Sequence, residues 1–195
     1  MPLSKPTGRA LLHERDITIR GYRRTDGRFD IEAHLIDTKS YSFPNDDRGE
    51  IPAGEPLHEM WVRLTVDDNL TIEASEAVTE HGPYAICPDA APNFARLAGL
   101  SIGRGFLKAA SERVGGVAGC THLRELLQQL GTTALQTLYA VRARREEVEG
   151  SATRPPRMLD SCYAYATDGP VVRRRWPAFY TGPDPLPAGT SAGEE

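Results

Sequence analysis

The chain has 195 residues, 39% hydrophobic and 26% charged, and these proportions exclude a wholly disordered, collagen-like or coiled-coil protein. Its 23 basic and 27 acidic residues give a net charge of -4, which argues against nucleic acid or an anionic membrane as a partner. No stretch approaches the roughly 20 apolar residues of a membrane span, and no secretory signal is recognisable. The three widely spaced cysteines indicate no disulfide framework. We therefore expect a globular, cytoplasmic protein.

The first half of the sequence predicts four β-strands separated by turns. Apolar and polar residues alternate along the second and third strands, which is typical of a sheet with one covered face. Polar turn sequences at residues 25–27 and 67–69 favour antiparallel pairing of the neighbouring strands. The predicted strands cover residues 17–22, 29–43, 57–66 and 70–77.

The second half predicts helices. Residues 92–100 and 103–114 indicate two short helices, and residues 120–147 indicate a long one whose leucines and alanines recur at helical spacing. This apolar stripe is expected to cover the sheet. Because the strands precede the helices, the order favours an α+β fold in which an antiparallel sheet of about four strands packs under two or three C-terminal helices.

The domain organisation follows from the same patterns. Residues 1–150 are predicted to form a single α+β domain. Residues 151–180 predict an irregular extension that packs on this domain, with an extra strand at residues 159–166. Residues 181–195, which contain several Pro and Gly, predict a mobile tail.

The densest group of polar residues lies at the end of the second predicted strand. Asp37, Lys39 and Tyr41 continue the alternation of the covered face, so their side chains are expected to point inward unless a bulge intervenes. Burial raises the pKa of a carboxyl and lowers that of an amine, and both shifts favour acid–base chemistry near neutral pH. A surface ion pair between Asp37 and Lys39 explains the same pattern.

Other side chains of these strands are further candidates. His58 begins the covered face of the third strand, and it would lie near Asp37 or Lys39 if the two strands pair. A hydrogen-bonded core histidine is the alternative explanation. His34 belongs to the alternate set of residues in the second strand, so its side chain is expected on the face opposite to the covered one. Tyr22 and the arginine that follows it precede a turn, where they could stack on a ring or bind an anion.

A second group lies at the start of the long helix, in the sequence Gly-Cys-Thr-His-Leu at residues 119–123. Free backbone N–H groups and the helix dipole at this position would stabilise a thiolate at Cys120 and make it a nucleophile. Together with Cys87, the Cys120 and His122 side chains could also supply three ligands to a metal ion. A small buried cysteine with His122 as a capping partner is the structural alternative.

Five of these segments, taken together, resemble the bacterial family catalogued as domain of unknown function 2889, and the likeness spans most of residues 10–145. The segments are residues 21–24, 26–27, 30–39, 54–60 and 119–123. The resemblance implies a cofactor-free lyase of aromatic-degrading bacteria that releases formaldehyde from hydroxymethyl-bearing, lignin-derived aromatic dimers.

Such a reaction needs a base for a hydroxyl proton, an acid for a departing phenoxide or carbanion, and a pocket that excludes water. Asp37 or His58 is expected to be the base, and Lys39 or Tyr41 the acid. The side chains expected to contact an aromatic substrate are Tyr22, Arg23, His34, Trp61, Phe106, Cys120 and His122.

Two other classes of function are compatible with the sequence. A metal-binding protein or metal-dependent enzyme would use Cys87, Cys120 and His122, and elemental analysis would distinguish it from the lyase. A non-catalytic module would bind a small molecule or a protein without turnover. In either case an exposed apolar face of the sheet or of the long helix would favour a homo-oligomer.

Overall fold

The computed structural model describes residues 3–148, 155–156 and 158–183 of the chain. Its main sheet has four antiparallel strands in the order β1-β2-β5-β6. These strands are β1 His13–Arg23, β2 Phe29–Lys39, β5 Pro56–Val66 and β6 Ile72–His81, and a separate hairpin consists of β3 Phe43–Asn45 and β4 Gly49–Ile51. The helices are α1 Phe106–Val114, α2 Thr121–Val148 and α3 Pro170–Arg175. The predicted α+β class and the four-stranded antiparallel sheet are confirmed.

The strand boundaries differ from the predicted ones for local reasons. β1 begins four residues earlier than predicted, at His13. β2 ends at Lys39 because its register shifts after Asp37, and the chain then turns into the small hairpin. β6 begins at Ile72 rather than at residue 70 because Leu70 has a positive φ of 67° and closes the preceding turn.

The core lies between one face of the main sheet and the helices. Alternate residues of β2 and β5 are fully buried, as the alternating pattern predicts. They pack in one cluster with the leucine and alanine stripe of α2, which confirms that the stripe covers the sheet. Burial of each leucine contributes about 2 kcal/mol to this packing. The buried stripe comprises Leu123, Leu126, Leu127, Leu130, Ala134 and Leu138.

Two features fix the helical layer over the sheet. Gly21 of β1 lies so close to α2 that a β-carbon at this position would overlap the side chain of Thr137. The segment Cys87–Leu97, predicted in part as an α-helix, is a 3₁₀ helix with Pro92 inside it, because proline removes an α-helical hydrogen bond. Its Phe94 and Leu97 side chains are buried in the core.

The chain divides into two compact units, Met1–Arg144 and Arg145–Glu195. The described part of the second unit contains α3 and the short 3₁₀ helices Tyr163–Tyr165 and Pro177–Phe179. The strand predicted at residues 159–166 is wrong, since a turn with a positive φ at Asp160 leads into the first of these helices. Most of the predicted tail, from residue 184 onward, lies outside the described residues. In the described ranges, no helix combines the length and apolarity required to span a bilayer.

Candidate active site

Asp37 is the centre of a polar cluster at one end of the main sheet. It follows the buried residues Ile31, Ala33 and Leu35 along the inner face of β2, and its side chain is only 1% exposed. His58 lies directly opposite Asp37 on β5, and its Nδ1 is 3.0 Å from Asp37 Oδ2. The expectation that strand pairing brings these two residues together is therefore confirmed.

Arg15 holds the Asp37 carboxylate from the other side. It lies directly opposite Asp37 on β1, and its Nε and Nη2 donate hydrogen bonds of 2.7 Å to the two carboxylate oxygens. The remaining guanidinium nitrogen, Nη1, donates to Glu125 Oε2 on α2 at 2.8 Å. His13 Nε2 is 3.4 Å from Asp37 Oδ1. Two parallel hydrogen bonds fix both the position and the charge of the carboxylate.

The first turn of α2 adds His122 to the cluster. The rings of His122 and His58 lie 3.9 Å apart between centroids, with 33° between their planes. His122 Nε2 is 4.0 Å from Asp37 Oδ2, and its Nδ1 is 3.9 Å from Cys120 Sγ. Three histidines, two carboxylates, one guanidinium and one thiol therefore meet where the end of the sheet faces the start of α2.

The ionisation of Asp37 differs from the expectation for a buried carboxyl. Burial raises the pKa of Asp37, but the hydrogen bonds and charge of Arg15, with smaller contributions from His58 and His13, outweigh it. The pKa of Asp37 is consequently below its ordinary value. The predicted upward shift is wrong because the Arg15 partner was not foreseen, and Asp37 remains an anion at neutral pH.

The pKa values of the two adjacent histidines, His58 and His122, shift in opposite directions. Burial and the neighbouring His122 lower the pKa of His58, although Asp37 opposes the shift. The hydrogen bond to Cys120 raises the pKa of His122 despite the burial of its ring. Burial raises the pKa of the Cys120 thiol, but His122 and the backbone N–H groups of Leu123 and His122 bring it below its ordinary value. Opposite shifts in adjacent groups are typical of an acid and a base that work together.

Of the predicted site residues, the structure brings together Asp37, His58, Cys120 and His122. Lys39 lies beyond the register shift, and in the described chain no hydrogen bond or ion pair joins it to Asp37. Tyr41 follows the end of β2, is 46% exposed and packs edge-on against Phe43.

The remaining predicted substrate contacts lie elsewhere. Trp61 and His34 stack on each other, with ring centroids 3.6 Å apart, on the face of the sheet that the helices do not cover. Trp61 also lines an open depression of about 300 Å³ on that face. Tyr22 and Arg23 are at the end of β1 opposite to His13, and Phe106 is buried in the core.

The ligand atoms of Asp37, His58 and His122 lie within 4.8 Å of one another, which is close enough for one divalent ion. Among the described residues, these three side chains form the group that could ligate a metal ion. The predicted ligand Cys87 does not belong to it. Both Asp37 oxygens already accept hydrogen bonds from the Arg15 cation, which would have to give up or share them.

Sequence reasoning missed Arg15, His13 and Glu125. The first two share a face of β1 with Ile17 and Ile19, which pack against the core, so a strand extended to residue 13 would have placed them inward. Glu125 lies one helical turn after His122, on the same side of α2. The periodic signals were present in the sequence, but the predicted start of β1 was too late.

The fold and this cluster define an α+β protein with a buried carboxylate and two adjacent histidine rings at the junction of sheet and helix. A family model described as "protein of unknown function (DUF2889)" matches residues 13–136, and the chain belongs to this family. The matched range contains every residue of the cluster. Comparisons with curated proteins and with solved structures find no match.

Proposed function

We propose that the protein is a cofactor-independent lyase that uses acid–base chemistry on a hydroxylated, lignin-derived aromatic compound and releases formaldehyde. One observation carries the acid–base part: His58 is held between the Asp37 carboxylate and the His122 ring, and the two histidine pKa values move apart. The substrate class rests on the family resemblance.

His58 is the base in this proposal. An ionised carboxylate only accepts hydrogen bonds, so Asp37 fixes the ring proton of His58 on Nδ1 and leaves the Nε2 lone pair free. The lowered pKa of His58 keeps the ring neutral near pH 7, and its 11% exposed side chain reaches the surface. Asp37 is a positioning residue, since Arg15 occupies both of its oxygens.

His122 is the acid. The pKa of its ring is raised, which favours the protonated form that can donate a proton, and its ring centroid lies 3.9 Å from that of the base. This assignment replaces Lys39 and Tyr41, for which the described residues show no hydrogen bond or ion pair to Asp37 or His58. The base and the acid thus come from a strand and a helix that meet at the same end of the sheet.

The reaction needs no change of oxidation state overall. His58 takes the hydroxyl proton, the O–H electron pair becomes the second bond of formaldehyde, and the bond from the hydroxymethyl carbon to its neighbour breaks. The electron pair of that bond forms a carbon–carbon double bond with the next carbon, which loses its phenoxide. His122 protonates the phenoxide, so the proton taken by His58 and the one given by His122 balance.

The proposal is tested by incubating the purified protein with hydroxymethyl-bearing aromatic ether dimers and measuring formaldehyde and free phenol. We expect equimolar formaldehyde and phenol, and we expect the rate to survive a chelator. Metal analysis of the same preparation provides the control. Absence of formaldehyde from every dimer would overturn the lyase assignment, and a stoichiometric metal whose removal abolishes turnover would replace proton transfer by metal-dependent chemistry.

A further inference from the structure

Cys120 is a nucleophilic group that the lyase mechanism does not use. Its carbonyl oxygen accepts the hydrogen bond of the Arg124 N–H at 3.0 Å, so Cys120 is the N-cap residue of α2. At this position its side chain faces the free N–H groups of the first helical turn. The residue is partly exposed and also packs against the hydrophobic core.

Cys120 is also part of a cluster that extends to Asp37. Its Sγ is 3.9 Å from Nδ1 of His122, and Nε2 on the other side of the same ring is 4.0 Å from Asp37 Oδ2. Thiol, imidazole and carboxylate therefore follow one another, and the carboxylate is 1% exposed. A thiol beside an imidazole, with a carboxylate at ion-pair distance on the other side of the ring, resembles the arrangement of cysteine enzymes, although the carboxylate makes no hydrogen bond to His122.

The other two cysteines lack this environment. Cys162 is exposed and Cys87 is partly exposed, and within the described ranges neither has a hydrogen bond to a histidine. Cys87 instead packs beside Gly82 after the end of β6. They serve as internal references in the same molecule.

We propose that Cys120, assisted by His122, is a covalent nucleophile that adds reversibly to the carbonyl carbon of a small aldehyde. The thiol proton passes to His122, the sulfur–carbon bond forms, and the carbonyl π electrons move to the oxygen. His122 then returns the proton to that oxygen, which gives a hemithioacetal without oxidation or reduction. The choice of formaldehyde as the aldehyde rests on the proposed function. The assignment of Cys120 as a nucleophile does not depend on that function.

The electrostatics of the cluster support this assignment. The pKa of Cys120 is below its ordinary value and that of His122 is above it, because each group stabilises the charged form of the other across the 3.9 Å between Sγ and Nδ1. Because His122 is also the acid of the proposed lyase, an adduct on Cys120 would occupy the site beside the reacting groups. Accumulated aldehyde would then inhibit the enzyme.

The first test measures alkylation of each cysteine in the folded protein by iodoacetamide, with peptide mass spectrometry. At pH 7 we expect Cys120 to react about tenfold faster than the exposed Cys162, because only Cys120 has a thiolate-stabilising environment. His122→Gln should remove this difference, while His81→Gln, a surface histidine on β6, should preserve it.

If His122→Gln does not fold, the pH profile of the wild-type protein decides instead. The alkylation rate of Cys120 should rise at lower pH than that of Cys162. Equal alkylation rates for Cys120 and Cys162 with coincident pH profiles would overturn the assignment of Cys120 as the nucleophile. A fast reaction of Cys120 that His122→Gln leaves unchanged would overturn it as well.

The second test adds formaldehyde before iodoacetamide. We expect protection of Cys120 at concentrations about tenfold below those that protect Cys162, with full recovery after formaldehyde is removed. Equal protection of both cysteines would overturn the proposal that Cys120 selectively binds the aldehyde. A protein that shows selective protection but no turnover of aromatic dimers would overturn the proposed lyase and leave this inference intact. A protein that turns over the dimers but shows no selective protection would overturn this inference and leave the lyase intact.

Discussion

Replacement of Asp37 by Asn is expected to lower the free energy of unfolding by about 3 kcal/mol, because it leaves the guanidinium of Arg15 without its buried counter-ion. The effect lies at the lower end of the range for breaking a buried ion pair, since the Arg15 side chain is 31% exposed and reaches water. The measurement is denaturant unfolding of both proteins at pH 7.

The matched control removes the other carboxylate of the same arginine. Glu125→Gln breaks the second ion pair of Arg15, but Glu125 is 56% exposed, so its loss should cost less than about 1 kcal/mol. Equal losses in the two variants would contradict the central position of Asp37 in the cluster.

The stability difference between the wild-type protein and Asp37→Asn should depend on pH in a definite direction. Because the pKa of Asp37 is lower in the folded than in the unfolded protein, its contribution is fully present above the unfolded value of about 3.9. The contribution is lost as the pH falls through the folded value. The stability difference between wild type and Asp37→Asn should therefore be constant near neutrality and shrink in acid below about pH 4.

His58→Gln is expected to reduce formaldehyde release by about 10²–10⁴-fold, the usual contribution of a general base. Glutamine can still donate a hydrogen bond to Asp37, but it has no lone pair that accepts a proton near neutral pH. The loss should appear in kcat rather than in KM, because the substrate is still bound.

His81→Gln provides the control for this variant. His81 is 41% exposed at the end of β6 and lies 3.8 Å from Glu59, away from the contacts of Asp37. Its replacement should leave the rate of formaldehyde release unchanged. A His58→Gln variant that folds and retains the wild-type rate would remove His58 from the mechanism.

The parts of the fold that the sequence predicts are those with strong periodicity. Alternation along β2 and β5 placed Asp37 and His58 on the covered face, and the pairing of the two strands made them neighbours. The leucine stripe of α2 correctly indicated the helix that covers the sheet. The same parity assigned His34 to the opposite face, where it stacks on Trp61.

The missing parts of the site depend on tertiary contacts. Beyond the register shift after Asp37, Lys39 pairs with His13 and makes no hydrogen bond or ion pair to Asp37 in the described residues, and a bulge has no clear signature in this sequence. The approach of His122 to Asp37 depends on where α2 starts above the sheet, which helical periodicity does not specify. His13 and Arg15 share the parity of Ile17 and Ile19, but residues 13–16 are all polar, so the predicted strand began only at residue 17.

Heteronuclear NMR titration of the histidine side chains measures the central claim directly, since it reports both the pKa and the protonated nitrogen of each ring. We predict that His58 titrates below its ordinary pKa, that its neutral form carries the proton on Nδ1, and that His122 titrates above its ordinary pKa. A His58 ring that is protonated on Nε2 when neutral, or that titrates above His122, would contradict the assignment of His58 as base and His122 as acid.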